Sequence, residues 1–391
     1  MKTRTAEIPR KQIDFGSIAI RKQVLGKRKQ SDAIAVLNWL AVAVYAVLAV
    51  GIVWRFYVIE NYSGQGEPLA WLDGTCAGPS MAILLFAALL SLHFLAKAHF
   101  DLKLNAADLT EEFGLSNPEQ SKPCTCIVGK INIIALWERY LRSGQFLCRS
   151  LRVLPMFALY ITAIAVILPL IGDAPRTAIR GNFPFPALMV CTIFAFLFLT
   201  FFVIDAILLH ESFLIQLEKK ESRWPDATFQ KFHYPFGPDR PRSNESDLAD
   251  YWDILLISKR TEAVGSVIYY PFVILSLLIV ARLGCLYNWA WSPVLIVALL
   301  MHFSIALYAA WRLPKCARVY RDKVLERMKR RRRQAFMLAK KTPEAIDTMI
   351  EEVQSTHQGA FSYLWQQPAI RALLLPSSGI GLATLLQYLP H

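Results

Sequence analysis

Six apolar runs, each able to cross a bilayer as a helix, limit what this chain can fold into. They are Ala33–Trp54, Ser80–Leu95, Leu154–Ile171, Ala187–Leu209, Val264–Ala281 and Pro293–Trp311. A helix rises about 1.5 Å per residue, so about 20 residues span a hydrocarbon core of roughly 30 Å. The second and fifth runs are short by that measure and gain length from their flanks. Inside lipid, backbone N–H and C=O groups must be satisfied within the structure itself. The runs also lack the apolar/polar alternation of barrel strands, so all six read as helices. Across the 391 residues, 54% are hydrophobic and the mean hydropathy is +0.34.

Charge supports the same reading independently. Nine Lys and Arg precede the first run, whereas the loop ENYSGQGEPLAWLDGTCAGP after it has none. The next loop carries Lys103, Lys122, Lys130, Arg139, Arg142 and Arg149, the third only Arg176 and Arg180. The fourth holds eight bases from Lys219 to Arg260, the fifth (LGCLYNWAW) none, and the tail is strongly basic. This alternation is what the positive-inside rule gives for an even number of spans, with both termini cytoplasmic in an inner or plasma membrane. The expected fold class is therefore all-α: a six-transmembrane-helix bundle with a helical cytoplasmic lobe.

Residues 1–31 read as a basic cytoplasmic arm, 32–311 as the transmembrane domain with cytoplasmic insertions 98–150 and 210–263, and 312–391 as a basic helical tail. The second run should continue as a helix to the break at Ser116–Pro118. The segment NIIALWERYLRSGQFLCRSLRVLP reads as an amphipathic helix leading into the third run. The fourth run should continue to a stop at Pro225, and Pro271 should kink the fifth. The insert 222–247 is rich in Pro and aromatics and is expected to form an ordered lobe or docking loop. A further helix should begin at Thr342, with Pro343 at its first position. Arg371 and the Pro376–Gly381 interruption argue against a seventh span, so 367–389 should lie on the bundle or the membrane surface.

Asp205 is the sharpest candidate site, because a carboxylate inside a span needs a partner or water. With His210, Glu211, Arg260 and Glu262 it forms a candidate gate or ion relay, with Arg260 or Lys97 as the expected partner of Asp205. Trp224, Tyr234, Phe236, Arg330, Arg331, Arg332 and Arg333 are candidates for docking a protein partner or lipid. A run of arginines just inside a span fits anionic headgroups better than nucleic acid.

Several chemistries are missing. His210–Glu211 lacks the second histidine of H-E-x-x-H, and there is no Walker A, no G-x-S-x-G and no strand-linked G-x-G-x-x-G. The Cys124–Cys126 pair lacks a second pair at zinc spacing, so neither a metal nor a cofactor is expected. The two halves of the chain show no convincing repeat, and polar groups near mid-membrane are sparse, against the pattern of a solute carrier. The expected function is a non-enzymatic membrane subunit, an anchor or signalling effector that docks a cytosolic protein and is able to self-associate. The alternatives are an ion-permeable pore or transporter gated at the cytoplasmic face, and thirdly an enzyme at the membrane interface.

Overall fold

In the computed structural model the described residues are 37–54, 77–115, 130–171, 184–219, 221–225, 228, 245–281, 293–339, 344–363 and 366. The arm 1–31, most of the Pro/aromatic insert (with Tyr234 and Phe236), the helix start at Thr342 and Pro343, and the stretch 367–389 lie outside them. The apolar runs become long helices: α1 (Leu37–Trp54), α2 (Ala77–Glu112), α4 (Phe146–Ile171), α5 (Pro184–Lys219), α6 (Glu245–Ser266) with α7 (Tyr269–Ala281), and α8 (Pro293–Ala339). Shorter helices complete the set: α3 (Ile133–Ser143), α9 (Glu344–Ser355) and a single 3-10 turn at Gly359–Phe361. Five segments are long and apolar enough to cross a membrane: Leu37–Trp54, Ser80–Glu112, Phe146–Val166, Ala187–Lys219 and Glu245–Ala281. They mark an integral membrane protein. The sixth run opens α8, where the side chains before Leu300 lie outside the described residues.

Length separates these helices into two parts. α2 and α5 have 36 residues each and α8 has 47. At about 1.5 Å per residue such helices reach well beyond a hydrocarbon core of roughly 30 Å. Two cores lie along them in sequence. The first gathers Leu84, Ala87, Leu90, Phe196, Leu199, Phe202, Val264, Phe272, Leu278 and Ala309. The second gathers Leu109, Phe113, Trp137, Tyr140, Phe213, Leu217, Trp252, Ile257, Tyr320, Met328, Met349 and Phe361. α5 is the shared axis: it touches α2, α3, α4, α6, α7 and α8, and its apolar window is the most buried of the five. By contrast α1 is the most exposed span, and the Leu147, Leu151, Leu154 and Leu159 faces of α4 are bare of protein.

Local sequence explains the element ends. α2 closes at Glu112, short of the Ser116–Pro118 break, with Gly114 at φ 65° in the left-handed region that glycine tolerates. The amphipathic stretch after residue 130 divides in two. The Asn132 side chain caps α3 by accepting from the Ile134 N–H at 3.0 Å, and Gly144 ends it by donating to Tyr140 O at 2.9 Å. The fifth run breaks at Val267–Ile268, before Pro271, as a missing N–H and a ring clash with the carbonyl four residues back require. Pro314, by contrast, lies inside α8 without ending it.

The expected length of the fourth run needs one correction. α5 ends at Lys219 rather than running to Pro225, and Glu221–Arg223 (β2) pairs in parallel with Lys130–Asn132 (β1), in register Lys130↔Glu221, Ile131↔Ser222 and Asn132↔Arg223. Strands of three residues carry no period that a sequence reading can detect.

Candidate functional site

Between the two cores runs a belt of charge. It forms where α2, α5, α6 and α8 pass from the first core to the second, with α4 alongside. Asp205 lies there, buried, and is held from α4. Arg152 donates through Nε to Oδ1 at 2.8 Å and through Nη2 to Oδ2 at 2.9 Å. A second arginine, Arg149, puts its Nε 3.4 Å from Oδ2. The forked pairing is the strong form of an arginine–carboxylate contact. Arg152 also donates to Ser143 O at 2.7 Å, which ties the end of α3 into the same knot.

The five gate candidates do not converge. Lys97, one expected partner of Asp205, pairs instead with Asp101 at 3.0 Å, where Tyr270 also donates at 2.9 Å. Arg260, the other, is buried and points to α2 and α3: it donates to Tyr140 Oη at 2.9 Å, Leu102 O at 2.7 Å and Asn105 Oδ1 at 2.8 Å. His210 sits in an aromatic box, with ring centroids of Tyr140 and Phe213 each 5.8 Å away. Neither of its ring nitrogens meets a hydrogen-bond partner among the described residues. Glu211 turns to another side of α5 and takes Arg312 Nη2 at 2.7 Å. Cys316 Sγ lies 3.7 Å from the same carboxylate, and burial together with that charge pushes its thiol up. Glu262 is exposed and stands outside the belt. Asp205, His210 and Glu211 thus serve three separate contacts around one helix.

Below the belt a second polar knot fastens the aromatic core. Asp253, fully buried, accepts from Ser222 Oγ at 2.6 Å, Trp224 Nε1 at 3.0 Å and Tyr320 Oη at 2.7 Å. Burial and the neighbouring Asp253 charge push the Tyr320 phenol well above its ordinary value, so it stays a donor. Asp250 is gripped by Arg327, 2.6 Å away, and by Arg331. Arg331 also reaches Asp247 at 2.6 Å.

These contacts sort the docking candidates. Trp224 is buried on Asp253, which removes it from any surface. Arg331 is committed to Asp247 and Asp250, and Arg332 pairs with Asp347 at 2.7 Å. Arg330, paired with exposed Glu326 at 2.5 Å on its own helix, and Arg333 remain exposed near the end of α8, beside exposed Phe336 and Met337. Arg149 and Arg152 are the functional-site residues missed by the sequence reading. In the sequence Arg149 counts with the topology-setting charge and Arg152 is not singled out, yet their spacing of three places both on one face of the helix entering the third run. Among the described residues no three His, Cys, Asp or Glu side chains gather as a metal site would require. Comparison with protein-family models, curated proteins and solved structures finds no match to this chain.

Proposed function

We propose that this chain is a non-enzymatic, multi-pass membrane subunit whose second core forms a cytoplasmic lobe that docks a cytosolic protein. Six spans, counting the start of α8, with both ends inside would satisfy the positive-inside pattern. The observation that carries the reading is the closed belt. Asp205 and Glu211 are each held by arginine, and His210 has no hydrogen-bond partner among the described residues to which it could pass a proton. A gate needs ionisable groups with somewhere to pass an ion or proton, whereas a rigid coupler needs them tied. α2 and α5 run unbroken and free of internal proline at the junction of the two cores, so a load on the lobe reaches the membrane part along continuous helices.

The docking surface is the end of α8, where Arg330, Arg333, Phe336 and Met337 offer charge and apolar contact together. It suits an acidic partner with an apolar anchor. Full-length protein purified from its host in mild detergent should carry a stoichiometric cytosolic partner. R330E together with R333E should release that partner without altering the melting temperature. In proteoliposomes the same protein should pass no more ion current than empty vesicles do. A current that changes with Asp205→Asn would overturn the reading and establish a pore.

A further inference from the structure

We propose that the cleft between α2, α3 and α4 binds the phosphate of an anionic phospholipid headgroup. The inference rests on the membrane placement above and adds a ligand to it. The cleft has a volume of about 940 Å³. Lys103, Arg142, Arg149 and Arg260 line it, against the carboxylates of Glu111 and Glu138.

Two of these cations are buried without enough negative charge. Arg149 is 2% exposed, and neither its Nε nor its Nη1 has a hydrogen-bond partner among the described residues. Its one carboxylate contact, Asp205, is already taken in a fork by Arg152. Arg260 is 3% exposed and donates only to a phenol, a backbone carbonyl and an amide among the described residues. Arg149 therefore shares its single aspartate with Arg152, and Arg260 meets no carboxylate among the described residues. Burying an uncompensated guanidinium is strongly unfavourable, and a phosphate oxyanion supplies both the missing charge and several acceptors.

The cleft wall points to lipid rather than a soluble phosphate. Phe146 and Leu147 line it, and Leu147, Leu151 and Leu154 continue as an exposed stripe up α4. Acyl chains laid along that stripe would leave the headgroup at the belt. The cleft is also far larger than a bare phosphate needs and is of ordinary size for an organic ligand.

The test uses the full chain in nanodiscs of phosphatidylcholine alone and of phosphatidylcholine with phosphatidylglycerol. Native mass spectrometry counts retained lipid, and tryptophan fluorescence reads the melting temperature. Phosphatidylglycerol should stay bound after detergent exchange and raise the melting temperature. Lys103→Gln with Arg142→Gln, two groups at the cleft whose loss leaves the Asp205 knot intact, should weaken its binding by about tenfold and leave melting in phosphatidylcholine unchanged. Arg149→Lys, which keeps the charge and removes the planar guanidinium donors, should weaken it too. Equal melting in the two nanodiscs, or undiminished phosphatidylglycerol binding in the double variant, would overturn the proposal. Inorganic phosphate that displaces phosphatidylglycerol and reproduces the full shift would overturn the lipid assignment in favour of a soluble anion. Partner release by the α8 charge reversals is scored separately, so failure at the cleft is distinguishable from failure of the coupler reading.

Discussion

The two cores solve the same problem in opposite ways. In the first, hydroxyls turn back on their own helix. Ser91 donates to Ala87 O at 2.7 Å, Thr200 to Phe196 O at 2.9 Å and Ser276 to Phe272 O at 2.9 Å. Cross-helix polar links there are few, such as Ser80 to Ala281 O at 2.8 Å. In the second core, polar side chains bridge distant parts of the chain: Trp137 to Thr110, Thr228 to Phe113 O, and the three donors on Asp253. A span must be satisfied before it meets its neighbours, because lipid offers no water in the interval. On the proposed cytoplasmic placement, the second core assembles in water and can leave its polar groups solvated until they find remote partners, which then fix one arrangement. The first core is thus held chiefly by shape, the second by shape and specific polar links.

That contrast can be broken by substitution. Asp253→Ala should be the most damaging, because it orphans three buried donors; a loss of about 4 kcal/mol is expected in denaturant unfolding followed by tryptophan fluorescence. Gly359→Ala comes next. Gly359 has φ 58°, and an added Cβ would lie 2.1 Å from Ser258 O, so about 3 kcal/mol should be lost. Faster proteolysis after residue 355 would reveal the 3-10 turn lifting from α6. Arg152→Gln removes the fork on Asp205 and should cost about 2 kcal/mol, with a double-mutant cycle against Asp205→Asn recovering most of it as coupling. Thr200→Val should change stability by about 0.5 kcal/mol or less, since only a bond within its own helix is lost. A large effect of Thr200→Val, or a small one of Asp253→Ala, would end the distinction between the cores.

Hydropathy made the helices of the first core legible, because there the environment is uniform and a run of apolar residues has one meaning. The end of α2 and the break before Pro271 were readable for the same local reasons. What escaped was everything set by distance along the chain. Asp205 was recognisable as needing a partner, yet that partner lies 53 residues earlier, among bases that already had an explanation in topology. Asp253 is a fully buried acceptor with no local sign of that role, because its donors come from β2, from the residue after that strand, and from α8, far from it in sequence. Trp224 looked like a surface anchor for the same reason. The β1–β2 pair carries no pattern at all; it exists because α2, α3 and α5 bring two short segments side by side.

The 3-10 turn at Gly359–Phe361 has a consequence for how the chain is made. Ser258 Oγ donates to Gln358 O at 3.2 Å, and the Ala360 N–H donates to Thr261 Oγ1 at 2.9 Å, so the turn seals a face of α6. That face leaves the ribosome about a hundred residues before its cover. Every apolar run has by then been synthesised, and the groove on α6 must wait open while α8 and α9 are completed. A chain stopped short of Gly359 would insert all its apolar runs and still lack this seal, leaving apolar surface around Ile257 for quality-control proteases to find.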